Sequence, residues 1–338
     1  MRVAVVAPQS GPFQILGDQI RAGATFAAKQ KDVEIVEIDE SCEATGSEAG
    51  GNGDALAKAL AASGAQAAIG FLCTEGLAAA LPALAEAGIP AISLSVRSDV
   101  LMGDALKKGW PFFRLVPGQA DEAEAITAFI ARNWQDVPFA LLDDGTIQSR
   151  DLTESIRNGL AEKGMSAVFT DTFRPAQEQQ IALVRRLAKS GATHVFTSGD
   201  HNDTAILARD AASEKLFLQV LGGDQLNAAD QTVPLANGVE AVTLPDYSAL
   251  PPAATMVQQM QAEGMVAEGY VLPAAAAITL AAEAQGSAEA TSVPLAEAIA
   301  KGTFQTAIGT VSFTGARDLA PSPYRLMVWR DGRFVEPD

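Results

Sequence analysis

Histidine and cysteine are almost missing from this chain, two of each in 338 residues. No His/Cys/carboxylate spacing of a zinc site is present, so no metal is expected. A Gly-x-Ser-x-Gly elbow is absent as well, and no other nucleophile and base pair stands out. Nothing therefore points to an enzyme. Positive charge is scarce: 24 Lys and Arg stand against 41 Asp and Glu, a net charge of −17. Such a surface repels phosphate backbones and gives no attraction to anionic lipid, which excludes nucleic acid as the expected partner.

Long apolar runs are also lacking. The best candidate, Val271 to Ala284, is Ala-rich, contains Pro273 and Glu283, and falls short of the ~20 strongly apolar residues a bilayer span needs. It is read as a packed amphipathic helix. No signal peptide is recognisable, because strand-like Arg2-Val3-Ala4-Val5-Val6-Ala7 follows Met1 at once. Either the protein is cytoplasmic, or this is a mature chain given a new initiator Met; the second is the expectation adopted. No low-complexity tract and no short-period repeat is seen.

What the chain does have is apolar substance: 48% hydrophobic and 19% charged residues. That supports a substantial core and argues against disorder. The length favours two domains. Strand and helix patterns alternate, beginning with Val3–Ala7, a helix near Gly17–Gln30 and Val33–Ile38. After Phe112–Val116 the alternation restarts with a helix at Gln119–Asn133 and runs to strands at Phe217–Leu221 and Val239–Leu244. This is the signature of parallel sheets with helices on both faces, an α/β fold. Pro251 to Ala300 is mostly helical in pattern, Ile308–Phe313 and Tyr324–Trp329 are strand-like, and Asp331-Gly332 signals a hairpin. Gly315 to Pro323 reads as a linker.

The most informative stretches are Ile69-Gly70-Phe71-Leu72-Cys73-Thr74-Glu75 and Ala91-Ile92-Ser93-Leu94-Ser95-Val96-Arg97. Each starts as a buried strand and turns polar just before a helix. In open α/β sheets ligands bind beyond the carboxyl ends of strands, where helix N-termini offer free N–H groups to an anion. Cys42 and Cys73 both follow strand patterns, a placement compatible with two separate thiols or with a bond between them. Gly50-Gly51-Asn52-Gly53 lacks the spacing of a phosphate loop and is read as a flexible turn. Glu37, Asp39, Glu40 and Asp143-Asp144 are read as solvated strand-end carboxylates. His194 is read as structural, and His201, which begins the segment after that strand, is read either as structural too or as lining a strand-end site.

Taken together, Ser10-Gly11-Pro12 with Gly17-Asp18, Ile69 through Thr74, Ala87-Gly88-Ile89-Pro90-Ala91-Ile92-Ser93, Phe113-Arg114-Leu115-Val116-Pro117, Gly222-Gly223-Asp224 and Ile308-Gly309 through Phe313 resemble the leucine/isoleucine/valine-binding proteins. These are type I periplasmic solute-binding proteins of ABC importers. The resemblance covers nearly the whole chain and rests on the order and spacing of short pieces.

The resemblance implies two Rossmann-like lobes with parallel central sheets, residues 1–117 plus 247–318 and 118–246 plus 319–338. Three crossover segments near Val116–Gln119, Leu244–Tyr247 and Thr314–Pro321 would join them, with a ligand cleft between the lobes and closure about the hinge. It implies a Cys42–Cys73 disulfide, and with it a periplasmic location. It carries over a ligand site of Leu16, Thr74, Ser95, Val96, Arg97, Gln148, Asp200 and Asp224. Thr74 would cap a helix and hold a ligand carboxylate. The Ser95–Arg97 loop departs from the family, Val96 and Arg97 standing where a backbone carbonyl and a Thr serve the ligand; Arg97 would clamp a carboxylate in two parallel bonds or lie solvated. Asp224 would neutralise an ammonium, and Gln148 and Asp200 replace common aromatic residues. The expected ligand is therefore a small polar amino acid or related carboxylate, delivered to an importer permease, with no cofactor. The alternatives are a cytoplasmic ligand-sensing regulator of the same fold, a carrier of a non-amino-acid carboxylate, or an α/β enzyme.

Overall fold

The computed structural model describes residues 1–42, 47–227 and 232–337, and of 47–53 the backbone alone. The chain divides into unit 1, Met1–Gly118 with Asp246–Ser322, and unit 2, Gln119–Pro245 with Pro323–Asp338.

Unit 1 alternates β1 (Arg2–Ala7), α1 (Gln14–Lys31), β2 (Glu34–Asp39), α2 (Ser47–Ala62), β3 (Ala67–Gly70), α3 (Thr74–Ala87), β4 (Ala91–Ser93), α4 (Asp99–Lys108) and β5 (Phe112–Arg114). The strands form one all-parallel sheet in the order β2-β1-β3-β4-β5. Side chains alternate across a strand, and β1 shows the consequence. Val3, Val5 and Ala7 pack on one side with Ile20, Phe26 and the later helices. Ala4 and Val6 pack on the other with Leu56, Leu60, Leu77, Leu81 and Leu101. Gly50–Gly53, expected as a turn, lies inside α2. The buried Leu56 and Leu60 dock that helix on the sheet, which outweighs the ~1 kcal/mol that a helical Gly costs.

Unit 2 continues with α5 (Gln119–Asn133), β6 (Phe139–Asp143), α6 (Ile147–Glu162), β7 (Phe169–Thr172), α7 (Ile181–Ser190), β8 (His194–Thr197), α8 (His201–Ser213), β9 (Gln219–Gly222), a short 3-10 turn at Asp224–Asn227 and β10 (Glu240–Thr243). The chain then returns to unit 1 for α9 (Ala254–Ala262), α10 (Val271–Thr291), α11 (Leu295–Lys301) and a small antiparallel sheet of β11 (Thr303–Thr306), β12 (Gly309–Phe313) and β13 (Leu319–Ala320). Unit 2 is completed by β14 (Arg325–Arg330) and β15 (Arg333–Val335). Its sheet runs β15-β14-β10-β9-β8-β6-β7, parallel except for the terminal hairpin. Asp331 and Gly332 both take positive φ, 50° and 88°, which is what a two-residue hairpin turn requires.

Two sequence expectations change here. Residues 319–322, assigned to the second lobe, belong to unit 1, because β13 pairs with β12 (Ser312 with Ala320, Phe313 with Leu319). Gly315–Pro323 is accordingly more than a linker. The helix at Val271 is not amphipathic either. Val271, Leu272, Ala274, Ala275, Ala276, Ala277, Ile278, Leu280, Ala281 and Ala284 are all buried, because it packs against the sheet and α1 as well as Ile299, Phe304, Val311 and Phe313. Enclosed on all sides over this first half, the helix has no polar face there, and it regains an exposed side only beyond it. Among the described residues no helix is long and apolar enough to cross a membrane.

Candidate functional site

At the carboxyl end of β3 the backbone turns sharply. Gly70 takes φ 112°, where a Cβ would overlap the Val6 carbonyl oxygen, and the buried Phe71 follows at φ 59°. Glu40, read from sequence as solvated, is instead 1% exposed. Its carboxylate accepts the Leu72 N–H at 2.7 Å and the Cys73 N–H at 3.2 Å. Cys73 is the N-cap of α3 and makes no side-chain capping bond. Thr74 is thus the first helical residue and not the cap that the sequence suggested, because the turn is completed one residue earlier. Its half-buried hydroxyl has no partner among the described residues. Cys42 and Cys73 are joined by a disulfide with Cα atoms 5.7 Å apart.

The loop after β4 is organised by Ser93, which is fully buried. Its Oγ donates to the Phe71 carbonyl at 3.1 Å and accepts from the Val96 N–H at 2.9 Å. Ser95 Oγ accepts a bond from the Tyr270 hydroxyl at 3.0 Å. Val96 is 2% exposed and its side chain belongs to the core under α4, so only its backbone can serve a ligand. The Arg97 guanidinium donates to the Pro117 carbonyl through Nε at 3.1 Å and reaches that of Gly118 at 3.5 Å. It is neither a solvated surface group nor a clamp with its whole fork available. Arg114 lies below it, bonded to the Arg97 carbonyl at 2.8 Å and ion-paired with Asp99 and Asp318. Leu16 is half-buried in the first turn of α1.

In unit 2, Asp224 opens the turn after β9. One carboxylate oxygen accepts from Thr243 Oγ1 at 2.8 Å and the Leu244 N–H at 3.0 Å, the other from the Tyr324 hydroxyl at 2.7 Å. The Asp224 N–H is taken by Glu122 at 2.9 Å. Three neutral donors hold the acid in place. Asp200 is exposed and is the N-cap of α8, accepting the Asp203 N–H at 2.8 Å. Gln148 is exposed in the first turn of α6. Asp203 is buried; one oxygen accepts the Ala176 N–H at 2.9 Å and the other has no partner among the described residues. Burial first, then Asp200 and Asp144, pushes its pKa up to about 6, against which the Ala176 bond works.

His201 does not line a surface: it is fully buried with its ring against Trp329. Its Nδ1 lies 2.9 Å from the Leu226 carbonyl oxygen, which makes Nδ1 the donor. His194 packs on Trp134 and contacts the Thr193 hydroxyl through Nδ1; burial lowers its pKa. Glu40, Ser93, Tyr270, Glu122 and Tyr324 are the residues that sequence reasoning missed. Only Glu40 carried a signal, its place two residues before Cys42. Tyr270, Glu122 and Tyr324 reach their partners across 100 residues or more, and Ser93 reaches back 22 residues to Phe71.

Two α/β units, each with polar groups gathered at the carboxyl ends of parallel strands, define a class of two-unit ligand-binding proteins. The chain belongs to the periplasmic binding protein family, whose sequence profile matches residues 1–333. It is similar to Leu/Ile/Val-binding protein homolog 3 of Brucella melitensis, 24% identical over 98% of this chain and 92% of that one. Among solved structures it resembles a putative branched-chain amino acid ABC transporter protein from Rhodospirillum rubrum, with TM-score 0.83 at 17% identity over 99% of both chains. It also resembles a solute-binding protein of an ABC transporter from Rhodopseudomonas palustris in complex with p-hydroxybenzoic acid, with TM-score 0.66 at 16% identity over 99% of this chain and 95% of that one. The family consists of solute-binding proteins and not of enzymes.

Proposed function

We propose that this protein captures a small amino acid or related carboxylate outside the cytoplasm and passes it to the permease of an ABC importer. Thr74 receives the ligand carboxylate and Asp224 its ammonium. The observation that carries this reading is the Thr74 hydroxyl, without a partner among the described residues, on the first residue of α3. A hydroxyl at a helix start, beside free N–H groups and the positive end of the dipole, suits an anion. Asp224 supports the second half, since an acid fixed in place by Thr243, Leu244 and Tyr324 presents acceptor oxygens to an ammonium. Leucine, isoleucine, valine and p-hydroxybenzoate, the ligands in the relatives' names, share a carboxylate on an apolar body. The Cys42–Cys73 disulfide suits an oxidising compartment.

Tyr270, brought to Ser95, supplies an aromatic ring in unit 1. It partly restores what Gln148 and Asp200 lack, and so widens the ligand class to apolar amino acids. Arg97, tied to Pro117 and Gly118, is proposed to shape the loop more than to clamp the ligand. Calorimetry of L-leucine, L-threonine, their deaminated analogues and p-hydroxybenzoate tests the assignment. An amino acid is expected to outbind its deaminated analogue by at least about tenfold, or ~1.4 kcal/mol. Equal or tighter binding of the deaminated acid removes the ammonium role from Asp224 and leaves a carrier of plain carboxylates.

A further inference from the structure

We infer that Glu40 is a positioning residue for the anion seat of unit 1, and that its proton state sets how strongly the start of α3 attracts a ligand carboxylate. The inference rests on the reading of Thr74 as the carboxylate receiver. Glu40 directly follows β2, and its carboxylate holds the two N–H groups immediately before Thr74, those of Leu72 and Cys73. It has no room to swing away. It is 1% exposed, and the chain two residues on is tied to Cys73 by the disulfide. Gly76 leaves the space: a Cβ there would stand 3.1 Å from Glu40 Oε1.

A charged Glu40 therefore occupies the positive end of α3, and a ligand carboxylate at Thr74 brings a second negative charge to the same helix end. Like charges at a shared site raise the proton affinity of one of them. Binding of an anion and protonation of Glu40 are linked, each favouring the other.

The surroundings put this within reach of ordinary pH. Burial pushes the Glu40 carboxyl up, the Leu72 and Cys73 N–H groups pull it down, and Asp39 raises it again, to about 7. Among the described side chains of the neighbouring helices α2 and α3, the charged residues Asp54, Lys58, Glu75 and Glu86 are exposed. The two cysteines are bonded to each other and do not titrate. Binding of a carboxylate then takes up a proton, so affinity rises as pH falls through about 7.

The first test needs no ligand. In the unmodified protein the amide signals of Leu72 and Cys73 are expected to shift with an inflection near pH 7, and to lose that inflection in Glu40→Gln. Flat amide signals across neutral pH in the unmodified chain overturn the inference. The second test is calorimetry with L-leucine as the probe at one pH unit to either side of 7. Affinity is expected to be several-fold higher at the lower pH in the unmodified protein and the same at both in Glu40→Gln. A merely structural Glu40 would lower affinity equally at both, and that result also overturns it. Absence of any L-leucine binding sinks the amino-acid reading, while the amide titration still decides on Glu40.

Discussion

The sheet of unit 1 is parallel throughout and lies under an alanine helix, whereas the sheet of unit 2 closes with an antiparallel hairpin and is packed with large aromatic rings. In unit 1, Ala274–Ala277 of α10 are fully buried, and a Cβ on Gly23 of α1 would overlap the Val271 carbonyl oxygen. Two helix backbones touch because nothing larger stands between them. In unit 2, Trp134 meets Phe129, Phe139 and His194 with ring centroids 5.1–6.2 Å apart, and Trp329 meets His201 and Phe334 at 5.0–5.4 Å. Close packing of small residues is broken by adding atoms, and packing of rings by removing them. The polar groups at the strand ends differ in the same spirit. Unit 1 gathers hydroxyls and N–H groups around Thr74 and Ser93, with the buried Glu40 carboxylate behind them, while unit 2 gathers Asp200, Asp203 and Asp224, the last braced by Thr243, Leu244 and Tyr324.

The sharpest break of this comparison is Trp134→Ala, expected to cost about 3–5 kcal/mol in a denaturant titration. A cost under ~1 kcal/mol would show that the unit 2 rings are not a core in the sense used here. Next comes the paired change Cys42→Ser with Cys73→Ser. Its 31-residue separation implies a loss of roughly 3–4 kcal/mol on the loop-entropy model, and the unfolding midpoint should move only in the segment that reports unit 1. A thiol titration on denatured, unreduced protein checks the premise and should find no free sulfhydryl.

Smaller in size but opposite in sign are two glycine changes in unit 1. Gly23→Ala should destabilise by about 1–3 kcal/mol. Gly286→Ala, where a Cβ meets nothing within 4 Å on the exposed side of α10, should stabilise by ~0.4–1 kcal/mol. Thermal melts of the two variants that moved in the same direction would remove close helix approach as the explanation.

The last effect is a pH dependence and belongs to Asp203 in unit 2. Its carboxyl is raised above the usual value of 3.8 to about 6, so the folded state holds the proton more tightly than the unfolded chain. The stabilising contribution is complete below 3.8 and lost as pH rises through about 6. Asp203→Asn should flatten stability between those limits, and an unchanged slope would reassign it to another group.

The alternating pattern was legible because most strands are short apolar runs and several helices end at a glycine, as α3, α4 and α7 do. Gly88 before Pro90 closes α3 as expected, with Gly88 at φ 68°. The departures have specific causes. The alanine-rich helix read as amphipathic because composition near Val271 does not reveal how many neighbours will cover it. The strand at Leu319–Ala320 is two residues long and exists only through its pairing with β12. Thr74 was placed one residue off as a cap, because a boundary set by the positive φ of Gly70 and Phe71 leaves little mark in the residues that follow. Asp200 is the capping residue of α8, a role its sequence position alone did not reveal.

By itself, the sequence determined the α/β alternation, the hairpin at Asp331-Gly332 and the family to which the chain belongs. All of these follow from local pattern and from the order of short motifs. Only the tertiary structure decided which acid is solvated and which is buried, and what each polar group is bonded to. Glu40 and Glu37 look alike in sequence, yet one is sealed against Leu72 and Cys73 and the other is exposed. Tyr324 reaches Asp224 across 100 residues, and Tyr270 reaches Ser95 across 175. The strength of a charge or a hydrogen bond depends on the water and partners around it, and those are supplied by chain segments that local sequence does not bring together.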